Sequence, residues 1–175
     1  MKLAVAFCLA LIGTVVVSCN TNSDKRKSFT DVAEYNDYLI DQLDAINDVY
    51  SHTLDTSLTI EDALHACDSL VTLCEYTEKS VKGIQPFEGD SSMAMQTLEY
   101  TQYMKLNGEK HIKDFLRLED RYMKATDLTE EEDAALFEEI EVAIAEINKI
   151  QDKELAKMDA VQQKFADKHN MMIMK

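Results

Sequence analysis

Glu34, Asp37, Asp41, Asp44 and Asp48 follow one another at intervals of three or four. On a helix that spacing lays all five along one face. Like charges so placed repel by a few tenths of a kcal/mol per pair, so the row is there for a reason other than helix stability. It either keeps a surface solvated or offers a docking face to a basic protein partner; it is the candidate partner-binding stripe. Cys67 and Cys74 lie seven apart. They share a face but are separated by roughly 10.5 Å along a helix axis, more than the ~7 Å between Cα atoms that a disulfide tolerates. Beside Leu64 and Val71 they read as buried free thiols acting as small hydrophobes. At the C-terminus, His169, Met171, Met172 and Met174 combine an imidazole with thioethers, soft ligands that suit Cu(I). The competing reading is an apolar helix end that packs on the body with Met as filler, so no resident metal or cofactor is expected.

Other chemistry finds little to work with. The histidines are His52, His65, His111 and His169, and none follows a Glu by three, the arrangement that carboxylate-bridged di-iron bundles need. Glu61 precedes His65 by four, which makes a surface pair. There is no Cys-x-x-Cys, Gly-x-Ser-x-Gly elbow, Gly-rich phosphate loop or His-Glu-x-x-His, and a non-enzyme is expected. The 175 residues carry 18 Lys and Arg against 33 Asp and Glu, a net charge of −15. A body so acidic is a poor nucleic-acid binder, because phosphate contacts need clustered basic side chains. From Ser28 to Met104 the only basic residues are Lys79 and Lys82, whereas Lys105, Lys110, Lys113, Arg117, Arg121 and Lys124 follow close together. That basic run could pair with the acidic stripe inside the protein or across a homodimer.

The opening has one positive charge at Lys2, then an uncharged and mostly apolar run to Cys19. The run is short for a membrane span of about 20 residues but fits the h-region of an export signal. Val16-Val17-Ser18-Cys19 resembles the lipobox of bacterial lipoproteins of the Bacteroidota type. The resemblance implies that residues 1–18 are a signal peptide and that Cys19 becomes the diacylated, N-terminal residue of a protein anchored in the cell envelope, at the outer membrane. Two or three acyl chains hold firmly where one is marginal. Residues 19–27 read as a polar tether. Surface-exported members of the group carry an acidic run after the Cys; here Lys25-Arg26-Lys27 is basic, which leaves the periplasmic and surface faces both open.

What positions these residues is helical. Val32, Tyr35, Leu39, Leu43, Ile46, Tyr50 and Leu54 form one stripe, with Thr30 or Ser28 as its cap. Ile60, Ala63, Leu64, Cys67, Leu70, Val71, Cys74, Val81 and Ile84 form a second, opened by Thr59 with Asp62 three residues on. Gln85-Pro86-Phe87-Glu88-Gly89-Asp90 is the clearest interhelical loop. A third segment spans about residues 91–126, with a kink or break expected at Asn107-Gly108. The fourth starts at Thr129-Glu130-Glu131-Glu132, a capping box, and runs to about His169 with Leu136, Phe137, Ile140, Ile144, Ile147 and Leu155 among its inward positions. With one Pro and four Gly a sandwich or barrel is excluded. The expectation is an all-α protein whose residues 28–175 form one antiparallel four-helix bundle, up-down-up-down, with long third and fourth helices. The body is similar to small helical envelope lipoproteins. The expected function is a lipid-anchored, non-catalytic interaction module; the alternative is a bundle that binds a metal or a small ligand.

Overall fold

The amphipathic stripes become helices wherever a local stop signal bounds them. The computed structural model describes residues 26–173, and contains α1 (Val32–Thr53), α2 (Ile60–Lys82), α3 (Ser92–Leu106), a π-helical turn (Asn107–His111), α4 (Ile112–Lys124) and α5 (Glu130–Lys168). No strand occurs among the described residues; two isolated bridges join Lys27 to Ile84 and Phe87 to Asp90. Because α3 runs through the π turn into α4, the chain forms four helical rods packed as a bundle. Cys19 and its lipobox, Lys25 and Met174 lie outside the described residues.

The start of each rod is set by side chains that satisfy free backbone N–H groups. Asp31, rather than Thr30 or Ser28, caps α1, its carboxylate accepting from the amides of Ala33 and Glu34. Thr59 caps α2 through the amide of Asp62. Thr129 and Glu132 form the full reciprocal capping box at α5.

Asn107-Gly108 does not break the third rod. Inward positions Met104, Gly108, Ile112 and Leu116 step by four, and on a 3.6-residue helix each step drifts by about 40°. A π turn holds extra residues per turn and resets the face, so Ile112 at 0% exposure and Leu116 at 4% stay in the core. Gly108 permits the approach: a Cβ there would meet the Cys67 carbonyl oxygen, Leu70 and Val71, each at 3.2 Å.

The core runs along the inner faces of all four rods, with Leu39 and Ile46 from α1, Cys67, Leu70 and Cys74 from α2, Met93 and Met104 from α3, and Phe165 from α5. Cys67 and Cys74 are both free thiols and fully buried. One end is closed by aromatic rings: Tyr35 stacks on Phe165 at 5.5 Å between centroids, and Phe87 meets both rings. The other end is open. At 1.5 Å per residue, the 39 residues of α5 extend about 58 Å and the 22 of α1 about 33 Å. The α4–α5 hairpin therefore outruns the α1–α2 pair, and no residue from 117 to 135 is buried. The inward assignment of Phe137, which is 48% exposed, and of Leu155, at 36%, is corrected: each lies at the edge of the buried stripe, next to Leu136 at 2% and Glu154 at 8%, which take the covered positions.

Candidate functional site

The acidic stripe lies where its spacing places it. Glu34, Asp37, Asp41, Asp44 and Asp48 are all exposed on α1, opposite the buried row of Tyr35, Leu39, Leu43 and Ile46. Among the described residues none of the five forms an ion pair. The basic run of the third rod turns elsewhere. Lys105 pairs with Glu75 at 2.8 Å, Lys113 with Asp68 at 2.5 Å, Arg117 with Asp114 at 2.8 Å and Lys124 with Asp120 at 2.7 Å. Two of these pairs clamp the third rod to α2, and the others lie within α4. The intramolecular pairing of stripe and basic run is not formed.

The C-terminal group is dispersed. His169 is 5% exposed at its side chain, wedged against Phe87 and Phe165, with Nδ1 3.3 Å from Oε2 of Glu88 and Nε2 3.3 Å from Oδ2 of Asp90. Both ring nitrogens thus face carboxylates. Met171 packs on the core, whereas Met172 is 92% exposed and stands apart. No group of three or more His, Cys, Asp or Glu side chains able to hold a metal occurs among the described residues.

The carboxylates that grip His169 are delivered by the tight turn Phe87–Asp90, closed by the Asp90 amide donating to the Phe87 carbonyl at 2.7 Å. Glu88 and Gly89 both have positive φ, 47° and 81°, a backbone state that favours glycine. Glu88 occupies it at a cost of about 1 kcal/mol. Asp90 also accepts from Lys168 Nζ at 2.6 Å and from the Ser92 amide at 2.9 Å. Burial works against its charge, but these donors more than compensate and hold its carboxyl well below the ordinary range.

A second site was not visible in the sequence. Under the overhanging hairpin, the C-terminal end of α1, the α1–α2 turn, the start of α2, α4 and the start of α5 enclose a cleft of 360 Å³, at the lower end of the sizes typical of ligand sites. Ile60, Ala63, Leu116, Ile140 and Ile144 give it aliphatic walls, and Phe115, Tyr122 and Phe137 give it rings, the last two with centroids 6.3 Å apart. Two carboxylates line it, Asp55 and Glu119, and no Lys, Arg or His does. Asp55 is occupied by the amide and hydroxyl of Ser57, at 2.9 and 2.7 Å. Glu119 is partly buried and has no ion-pair or hydrogen-bond partner among the described residues; burial pushes its carboxyl up.

No helix among the described residues is long and apolar enough to cross a membrane. Compared with protein-family models, with curated proteins and with solved structures, the chain matches none.

Proposed function

We propose that the chain is a lipid-anchored cell-envelope protein, tethered through Cys19 at the outer membrane, whose bundle works as a non-catalytic interaction module for a basic protein partner. The observation that carries the reading is the α1 face: five exposed carboxylates with no ion-pair partner among the described residues, while Lys105, Lys113, Arg117, Arg121 and Lys124 of the basic run pair with other carboxylates. An unneutralised row of one sign raises the local concentration of the opposite sign and speeds its docking.

In this reading the rods pack antiparallel, up-down-up-down. The support is that Lys27 hydrogen-bonds to Gly83 and Gln85 and Asp90 meets Lys168. Those contacts gather the starts of α1 and α3 with the ends of α2 and α5. The tether would join the bundle at that same end, where Lys27, Lys82 and Lys168 also lie, and basic side chains near anionic headgroups contribute about 1 kcal/mol each. The hairpin of α4 and α5 then points away from the membrane.

Two experiments test this. Cys19→Ala is expected to move the protein from the membrane fraction to the soluble one, and unchanged lipid labelling would contradict the anchor. Crosslinking of the tagged full-length chain in cells is expected to yield one dominant partner that is lost when the stripe is neutralised. Crosslinks only to itself would make the protein a homodimer and withdraw the adaptor role. Protease access in intact cells distinguishes the surface face from the periplasmic one.

A further inference from the structure

We propose that the cleft beneath the α4–α5 hairpin binds a small organic cation with an apolar body, Glu119 receiving the ammonium group while Phe115, Tyr122 and Phe137 enclose the rest. This site is separate from the α1 face and goes beyond the adaptor reading.

The chemistry follows from what lines the cleft and what does not. A carboxylate that is partly withdrawn from water normally acquires a cation or several donors, because taking a charge out of water unpaired is costly. Glu119 has neither among the described residues, although Arg117 and Arg121 lie two residues away on either side. Those guanidinium groups turn to Asp114 and Glu139 instead. An anionic ligand would find two carboxylates and no positive side chain to meet it. A neutral apolar ligand would leave Glu119 as it is, whereas a cation satisfies it, and aromatic faces attract an ammonium further through their quadrupoles.

The same lining explains the exposed rings. Phe137 is 48% exposed and Met123 64%, both at the cleft and both on the overhang. Large apolar side chains grouped at a concave site rather than scattered mark a surface that is covered by something. A volume of 360 Å³ suits a ligand of one ring and a short chain rather than a protein helix.

The test uses the full-length protein in lipid nanodiscs and three probes with one body and different heads: 4-phenylbutylamine, 4-phenylbutanol and 4-phenylbutyrate, titrated by calorimetry against empty nanodiscs. The amine is expected to bind best, and Glu119→Gln to weaken it about tenfold, the usual worth of a charge-assisted contact, while the alcohol is unaffected. Ala63→Leu, which fills the cleft floor, should weaken amine and alcohol together. Circular dichroism of both variants confirms that the helices persist; should Ala63→Leu unfold, Glu119→Gln alone decides. Equal binding of all three probes, no binding of any, or an amine preference that survives Glu119→Gln would overturn the assignment. So would a concentration-dependent dimer abolished by Phe137→Asp in protein that takes up no amine, which would give the cleft to a second copy.

Discussion

Lys168 Nζ lies 2.6 Å from Oδ2 of Asp90, tying the last residue of α5 to the turn that precedes α3. The bond closes the aromatic end of the bundle across 78 residues of sequence. Asp90 is 9% exposed at its side chain and Lys168 61%, so the anion carries the structural weight and the cation remains wetted.

The consequence is a pH dependence with a definite sign. The Asp90 carboxyl is held below its ordinary 3.8 in the folded protein, so folding favours the ionised form. Its stabilisation is fully present above pH 3.8 and is lost as the pH falls through the folded value. Asp90→Asn is expected to cost about 1–2 kcal/mol at neutral pH. The difference from the native chain should shrink below pH 3.8, where Asp90 takes up a proton when the chain unfolds. Urea melts at pH 7, 4 and 2.5 would measure it; a difference that does not shrink with acid would show that the lost stability is not electrostatic.

Gly108 makes a second prediction. Helix propensity alone favours Ala over Gly by about 1 kcal/mol. Here, however, the added Cβ would meet a backbone oxygen of α2 and two core side chains at 3.2 Å. We expect Gly108→Ala to show none of that gain and Gly108→Val to lose 2 kcal/mol or more through overpacking, read as a lowered denaturation midpoint. A stabilised Gly108→Ala would mean that α2 and the π turn separate easily.

The rods were legible in the sequence because their determinants are local. The stripe through Tyr35, Leu39 and Ile46, the Thr59 cap and the Thr129–Glu132 box each act within one or two turns. Exposure of the α1 carboxylates followed from the same period. What was not legible depends on distant apposition. Phe137 keeps the helical period, but its neighbour Leu136 takes the buried position, and which of two adjacent apolar residues faces the other rods depends on how the rods are turned against each other, which no local pattern encodes. Glu119 looks like any surface carboxylate until the α1–α2 turn is laid over it. The neighbours of His169 come from a turn 79 residues earlier. The π turn had a local signal, successive steps of four through Gly108, but Asn-Gly at that point also fits a break.

The two core thiols should be silent. Burial pushes Cys67 up to about 11 and Cys74 up to about 12, and the thiolate is the reactive form. In a full-length variant with Cys8 and Cys19 replaced by Ser, a disulfide-exchange reagent at pH 8 is expected to label neither thiol in native buffer and both in denaturant. Fast labelling of one thiol in the folded protein would reveal local opening between α2 and its neighbours.

Neutralising the stripe separates its docking role from a structural one. In Asp37→Asn/Asp41→Asn/Asp44→Asn/Asp48→Asn, like-charge repulsion at intervals of three and four is removed, a few tenths of a kcal/mol per pair. Asp48, Asp44, Asp41 and Asp37 are all exposed, and among the described residues only Asp37 receives a side-chain hydrogen bond, from the neighbouring Asn36 at 3.3 Å. Thermal stability should therefore be unchanged or slightly higher at low salt. The gain should vanish near 1 M salt, where the screening length falls to about 3 Å. A large loss of stability at either salt would mean that these carboxylates hold the fold together. In that case any loss of partner binding in the same variant would report damage to α1 rather than loss of a docking face.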